Sequence, residues 1–151
     1  MKSALLPPLT RVEFSFPFPQ DAHTAVISSI GSCFADAVVE RLAAAGVETL
    51  RNPNGIVYNP VSLADSLLAE ETALFEFNGA WRSWRHHGSF SAETKELLER
   101  RIAESRSAFL KHLKRSSLLI LTPATAVVFE LPESGLIVAN CHKVPGGRFR
   151  R

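Results

Sequence analysis

The stretch TAVISSIGSCFADAVVERLAAAG, residues 24–46, decides the fold. Its first part, TAVISSI, is a short β-prone run that stops at Gly31-Ser32. Apolar residues then recur at the spacing of one helix face, at Phe34, Val38, Leu42 and Ala45. Gly46 supplies the usual C-terminal stop of a helix. A strand, a tight turn and a helix form the first half of a βαβ unit.

Later segments continue this pattern. VETL, residues 47–50, is expected to be the next parallel strand, reached by a right-handed crossover. Asn59-Pro60 has the cap and first-position residues of a second helix, VSLADSLLAEE. The Asn-Gly pair in FEFNGAWRSW predicts a β-hairpin. Ser91 is expected to cap a long helix that runs to about residue 115, and its apolar face is Leu98, Ile102, Ser105 and Phe109.

The C-terminal third adds strands. SLLILT, residues 117–122, is continuously apolar, which predicts a strand buried on both faces of a sheet. AVVFEL and LIVAN flank a Pro-Glu-Ser-Gly turn and predict a second hairpin. The whole order favours an α/β fold, a three-layer sandwich with a mainly parallel central sheet. We expect this α/β domain over residues 24–151, preceded by an extended proline-rich arm over residues 1–23.

Composition excludes several classes of function. The 151 residues suit one domain, and a net charge of +2 is too weak to favour nucleic acid or an anionic membrane as partner. The N-terminus lacks the apolar region of a secretory signal, and no run approaches the ~20 apolar residues of a membrane span, so a cytoplasmic location is expected. Cys33 and Cys141 match no disulfide scaffold or zinc pattern, so we expect free thiols, no metal and no cofactor.

The Gly31-Ser32-Cys33 junction is the first candidate site. Ligands of open parallel sheets bind beyond the carboxyl ends of the strands, where this junction is predicted to lie. Ser32 or Cys33 would then sit at a helix N-terminus, which favours an anion or a developing oxyanion. On local pattern alone, the better reading is that Ser32 is a plain N-cap and Cys33 a small buried residue.

Three further groups are candidates. Asn54 and Gly55 lie in a turn-rich loop and could donate to an oxyanion, although on the loop alone a plain connection is the better explanation. His86-His87 lie in a polar loop, where exposure is expected and a general base is possible. Asn140-Cys141-His142 close another strand and could face the same crevice. His112, on a basic helix face, is expected to be a solvated bystander.

Five stretches in a fixed order resemble the GSCFA family, a bacterial group similar to the SGNH (GDSL-type) hydrolases. They are IGSCFADAV, NPNGIVYNPVSL, WRHHGSFS, SLLILTPATAVVFEL and VANCHKVP. The resemblance implies an SGNH/flavodoxin-like fold and an esterase or acyl hydrolase acting on a small acyl or ester substrate. The alternative is a non-catalytic ligand-binding module, or a truncated one, that uses the same strand-end pocket.

The resemblance also implies roles for individual residues. Aligning Gly31 with the glycine of Gly-Asp-Ser puts Cys33 in the nucleophile's place, whereas side-chain chemistry favours Ser32, and both stay open. Gly55 looks like the oxyanion glycine, with Gly31, Asn54 and Asn140 beside the substrate. The base would be His86 or His142.

The chain departs from the family pattern at two places. Pro123-Ala124-Thr125 stands where a Gly-Thr pair is usual, with no asparagine at the expected oxyanion position. Nothing after His142 resembles the Asp-x-x-His that supplies the base. The chain therefore looks like the N-terminal part of a longer domain, truncated at its C-terminus, and an incomplete sheet is expected to leave an unpaired apolar edge.

Overall fold

A computed structural model of the chain describes residues 24–139, 143–145 and 148–151. The helices are α1 (Cys33–Ala44), α2 (Pro60–Leu68) and α3 (Lys95–Leu113). The strands are β1 (Val26–Gly31), β2 (Glu48–Arg51), β3 (Leu74–Phe77), β4 (Ala80–Ser83), β5 (Ser91–Ala92), β6 (Leu118–Thr122), β7 (Phe129–Glu130) and β8 (Ile137–Val138). The predicted arm over residues 1–23 and the candidates Asn140, Cys141 and His142 lie outside the described residues.

The central sheet is parallel, in the order β2-β1-β6. Ser29 of β1 lies opposite Arg51 of β2, and on its other side opposite Ile120 of β6. The mixed α/β class and the parallel sheet are thus confirmed. Two antiparallel sheets accompany it, in the orders β3-β4-β5 and β7-β8, as the two predicted hairpins require. The three-layer sandwich stays a prediction.

Side-chain caps begin all three helices. Ser32 accepts from the N–H of Phe34, and Asn59 accepts from that of Ser62. The predicted start of the long helix is wrong, because α3 begins at Lys95 with Thr94 as its cap. Ser91 instead lies in β5, which pairs with β4. Thr94 has a hydroxyl that can cap a helix equally well three residues later. Because Ser91 is paired in the sheet, the helix begins after Thr94 instead.

Apolar side chains contact the sheet in two separate clusters. Ile27 packs with Ala25 and Val47, and Leu42 of α1 packs against them. Ile30 packs with Phe109 of α3 in a second cluster that includes Val57, Leu63 and Ala139. The predicted inner face of α3 is confirmed at its apolar positions, since Leu98, Ile102 and Phe109 are buried.

The predicted inner face of α1 is wrong at both ends: Ala35 rather than Phe34 faces inward, and Ala45, the C-cap, is exposed. Ala35 and Val39 are fully buried, whereas Phe34 is 63 % exposed. Small Ala35 lets the first turn of the helix lie close to the strand end. The helix therefore directs its largest apolar side chain, Phe34, into solvent beside Cys33.

β6 does not have the burial that its apolar sequence predicts. Leu119 and Ile120 pack against the two clusters, but Leu118 is 37 % and Leu121 53 % exposed. The reason is its place in the sheet: within the described residues β6 pairs only with β1, so one of its edges is open. The prediction of burial on both faces is wrong, and the strand is an apolar edge.

Candidate functional site

Gly31 ends β1 with a backbone that only glycine adopts comfortably. Its φ is +141°, and an added Cβ would lie 2.4 Å from Thr122 Oγ1 and 2.6 Å from the Thr122 carbonyl oxygen. The ends of β1 and β6 therefore approach each other closely at the carboxyl edge of the sheet. This is the edge at which open parallel sheets bind ligands.

Ser32 is buried and its polar groups are already bonded. Its N–H donates to both the carbonyl oxygen and Oγ1 of Thr122, each at 3.0 Å. Its Oγ accepts from the N–H of Phe34 at 3.3 Å and lies 3.2 Å from Thr122 Oγ1. With 4 % of its surface exposed, Ser32 acts as the cap of α1.

Cys33 differs from Ser32 in every one of these respects. It is the first residue of α1, it is exposed, and its thiol is free. Amides in the first turn of a helix have no acceptor within the helix. Across the described part of the chain, none is found for the N–H of Cys33. Thiol and amide together can meet an external carbonyl group.

Asn52 follows β2 and contacts the same junction. Its Oδ1 accepts from the N–H of Gly31 at 2.7 Å. Its Nδ2 donates to Asp36 Oδ1 at 2.7 Å and approaches the Ser32 carbonyl oxygen at 3.4 Å. One side chain thus connects the end of β1, the cap and the first turn of α1.

The Asn54-Gly55 loop lies against the His86-His87 loop. The N–H of Gly55 donates to the Asn52 carbonyl oxygen at 2.7 Å. Asn54 Nδ2 donates to the Ser66 carbonyl oxygen at 2.9 Å. A Cβ on Gly55 would lie 2.2 Å from the Cβ of His87. Both predicted oxyanion donors are therefore engaged with carbonyl groups of the protein itself.

His86 is a buried, neutral histidine. Ser83 Oγ lies 2.8 Å from His86 Nδ1. Because the single hydroxyl proton of Ser83 is donated to the Thr72 carbonyl, Ser83 Oγ must accept its second bond from His86 Nδ1–H. That assignment leaves the lone pair on Nε2. Burial, and then the positive charges of Lys143, Arg85 and Arg106, lower the pKa of His86 to about 4. The ring can accept a proton or a hydrogen bond at neutral pH.

His87 has the opposite tautomer. The N–H of Ser89 donates to His87 Nδ1 at 3.1 Å, which puts the ring proton of neutral His87 on Nε2. The main-chain N–H of His87 donates to the Asn54 carbonyl at 3.2 Å. The two neighbouring rings therefore differ in tautomer, with the lone pair on Nε2 in His86 and on Nδ1 in His87.

His112 is not the solvated bystander that the sequence suggests. Its side chain is 14 % exposed, and Nδ1 lies 2.9 Å from the Oγ of Ser28, which is fully buried. Nε2 lies 3.8 Å from Glu48 Oε1. Because Ser28 is inaccessible, this group joins α3 to β1 rather than forming a reaction site.

The structure thus brings together some of the predicted residues. Gly31, Ser32 and Cys33 are joined through Asn52 to Gly55, which contacts His87. In the described ranges, no histidine ring bonds to Ser32 or Cys33. The roles predicted for Asn140 and His142 fall outside those ranges and stay predictions.

Sequence reasoning missed Asn52 and Thr122. Each is a polar residue at the carboxyl end of a strand that neighbours β1. The carboxyl ends of parallel strands meet at one edge, so this position was the available signal. Recognising this signal requires knowledge of the strand order, because β6 neighbours β1 in the sheet but is distant from it in sequence.

Two negative findings concern the residues that the structure describes. They contain no cluster of three or more histidine, cysteine, aspartate or glutamate side chains suited to a metal ion. They also contain no helix with the length and apolar character needed to cross a membrane.

Comparison with known proteins gave one match. Searches of curated proteins and of solved structures found nothing similar. The family model of the GSCFA family matches residues 26–151, which begin with β1 and include the Gly31-Ser32-Cys33 junction, the Asn52–Gly55 loop and the His86-His87 loop. Since this match covers far more than half of the sequence, the chain belongs to the GSCFA family.

Proposed function

We propose that the protein supplies the nucleophile side of an SGNH-like acyl hydrolase site, with Cys33 as the nucleophile. The observation that carries this proposal is the contrast between two neighbouring side chains. The Cys33 thiol is exposed, whereas Ser32 is 4 % exposed and its hydroxyl lies among the bonds that cap α1. A nucleophile must reach its substrate, which favours Cys33 over Ser32.

The reaction proceeds through a thioester. The Cys33 sulfur attacks the carbonyl carbon of an ester, a base takes the thiol proton, and the alcohol leaves with a proton from that base. The N–H of Cys33, which has no acceptor among the described residues, donates to the developing oxyanion at the N-terminus of α1. Water then cleaves the thioester, which releases the carboxylic acid and restores the thiol.

Two histidines are candidates for the base. His86 has a neutral ring at neutral pH, because its pKa is lowered to about 4 by burial and by Lys143, Arg85 and Arg106, but the same shift makes it a weak base. Its Nδ1 is held by Ser83, so Nε2 is the atom that would accept the proton. His142 is the alternative that the family resemblance implies.

The same proposal includes a three-layer sandwich. Ile27 and Ile30 of β1 belong to different clusters, one with Leu42 of α1 and one with Phe109 of α3. Side chains three residues apart on a strand point to opposite faces. This packing supports helices on both faces of the parallel sheet, which is the architecture of the SGNH-like fold.

Hydrolysis of p-nitrophenyl acetate and butyrate tests the proposal, in a Cys141→Ser background so that Cys33 is the only thiol. Cys33→Ala is expected to lower kcat/KM by at least about 100-fold. Ser32→Ala, compared at equal folded fraction, is expected to lose less than about tenfold, because it removes only a cap. A wild type without turnover, or equal rates in wild type and Cys33→Ala, would refute the proposal. Loss confined to Ser32→Ala would make Ser32 the nucleophile.

A non-catalytic binding module is the second candidate. A cavity favours it, but neither Ser32 nor Cys33 lines this cavity, so it is not the strand-end pocket that the sequence predicts. A cavity of about 440 Å³ lies between the His86-His87 loop and α3, within the size range of small-molecule sites. It is lined by Ser89, Phe90, Arg101, Glu104, Ser105 and Ala108. Arg101 donates to the Ser91 carbonyl through Nη1 and has further N–H groups that would suit a ligand carboxylate, whereas Ser105 Oγ donates to the Pro53 carbonyl and would only accept from a ligand hydroxyl. Binding alone would be supported if such a ligand raised the thermal midpoint of the wild type but was not turned over. Ala108→Trp, which fills the cavity, should abolish this stabilisation.

A further inference from the structure

We propose that Asn52 is the positioning residue of the Gly31-Ser32-Cys33 junction and that it acts through Asp36. Its meaning for catalysis rests on the proposed function. Its structural part, that the Asn52 side chain sets where Cys33 lies at the sheet edge, can be tested separately.

The first step is the way β2 ends. With Ser29 opposite Arg51, a continued parallel ladder would place Asn52 opposite Ile30. The main-chain N–H of Asn52 does continue the ladder, donating to the Ser29 carbonyl at 2.8 Å. In that ladder the main-chain oxygen of Asn52 would then accept from the N–H of Gly31.

The Asn52 side chain takes over that last bond. Oδ1 accepts from the N–H of Gly31 at 2.7 Å, while the main-chain oxygen turns away and accepts from the N–H of Gly55 at 2.7 Å. The backbone of Asn52 has φ +34°, a left-handed conformation that asparagine tolerates better than most residues. Asn52 therefore lets β2 turn away while the end of β1 stays hydrogen-bonded.

The second step is the other end of the same amide. Nδ2 donates to Asp36 Oδ1 at 2.7 Å, and Asp36 is in the first turn of α1. Oδ1 must face an N–H and Nδ2 must face a carboxylate, so the amide fits in one orientation only. Cys33 lies between two anchors: Thr122 holds Ser32 on one side, and Asn52 holds Asp36 on the other.

Reversing this pair tests the idea. Asn52→Asp keeps an acceptor for Gly31 but places a carboxylate against Asp36. The double variant Asn52→Asp with Asp36→Asn restores one amide and one carboxylate, with donor and acceptor exchanged. Asn59→Asp is the matched control, because it makes the same change at the cap of α2, where aspartate also caps well.

Two readouts are measured in the Cys141→Ser background at equal folded fraction. They are the rate of Cys33 alkylation by iodoacetamide and the kcat and KM for p-nitrophenyl acetate. Asn52→Asp is expected to change the alkylation rate at least about threefold and to lower kcat about tenfold or more, with KM within about twofold. The double variant should return both rates to within about twofold of wild type, and Asn59→Asp should leave them unchanged.

The outcomes separate this inference from the proposed function. Unchanged alkylation and kcat in folded Asn52→Asp, or no recovery in the double variant, overturns the role of Asn52. If Asn52→Asp does not fold, a double variant that recovers both folding and the two rates supports the positioning role of Asn52. A double variant that folds but does not recover the two rates overturns that role. A wild type that reacts with iodoacetamide but hydrolyses no ester refutes the proposed function, while reversal of the alkylation effect still supports the positioning role.

Discussion

Thr122 Oγ1 accepts a hydrogen bond from the N–H of Ser32 at 3.0 Å and lies 3.2 Å from Ser32 Oγ. This contact joins the end of β6 to the cap of α1, across 90 residues of sequence. The carbonyl oxygen of Thr122 also accepts from the same N–H. The position of the first turn of α1 therefore depends on β6 as much as on β1.

Thr122→Val is the first prediction. Valine keeps the shape of threonine but removes Oγ1 from the N–H and Oγ of Ser32, so we expect a loss of about 1 to 2 kcal/mol in the free energy of unfolding. Urea denaturation measures it. Thr125→Val is the control, since Thr125 Oγ1 makes an exposed bond to the N–H of Val127, and it should cost less than about 0.5 kcal/mol. Equal losses in the two variants would contradict a specific role of Thr122.

A matched pair of glycines tests the contact between two loops. Gly55 has φ +77° and Gly79 has φ +72°, but only at Gly55 would a Cβ meet another atom, His87 Cβ at 2.2 Å. Gly79→Ala should cost about 1 kcal/mol for its backbone conformation alone. Gly55→Ala should cost about 1 to 3 kcal/mol more, because the loops must separate. Similar thermal midpoints for both variants would show that the loops are not in contact.

The pKa of His86 predicts a loss of stability in acid. In the unfolded chain the imidazole titrates near 6.5, whereas burial and the nearby cations lower its pKa to about 4 in the folded protein. Between these values the unfolded state binds a proton that the folded state does not. The free energy of unfolding should therefore fall by about 3 kcal/mol as the pH drops from 6.5 to 4, and the loss from this group should level off below about pH 3.

Comparison of variants isolates this effect from the carboxylates. His86→Asn removes the titration and can still donate to Ser83, so its stability should fall less steeply than that of the wild type between pH 6.5 and 4. Parallel curves for wild type and His86→Asn, measured by urea denaturation, would rule out a buried neutral His86.

The second apolar cluster predicts a contrast between neighbours on α3. Phe109 is 1 % exposed and packs with Ile30, whereas Leu110 is 39 % exposed. Phe109→Ala should cost about 3 to 5 kcal/mol through lost burial and the cavity that remains. Leu110→Ala should cost less than about 1 kcal/mol. Calorimetry measures both, and a small loss in Phe109→Ala would contradict the packing of α3 on the sheet.

Local patterns in the sequence were sufficient for most of the elements. The β-prone run before Gly31, the Asn59-Pro60 helix start and the Asn78-Gly79 hairpin are all present, because each depends on residues close in sequence. The predictions that Cys33 is buried and that His86 is exposed are both wrong, because Cys33 is exposed and His86 is buried. Both depend on which elements pack around them.

The errors have a common physical cause. Ser91 can cap a helix, but its pairing with Arg82 places it in β5. SLLILT reads as a fully buried strand, but its burial depends on how many neighbours the strand has. Asn52 looks like an ordinary turn residue and Thr122 like an ordinary strand end until the strand order β2-β1-β6 places both beside Gly31. Non-local pairing, rather than propensity, determines these features.

The two margins of the parallel sheet differ in chemical character. β2 carries Glu48 and Arg51, paired with Arg115 and Glu40, and such charges discourage a further strand from adding there. β6 presents exposed Leu118 and Leu121 and has no comparable charges. An additional β-strand is therefore more readily paired with the edge strand β6 than with the edge strand β2. Because Thr122 holds Ser32 in place, any strand added there would border the candidate site.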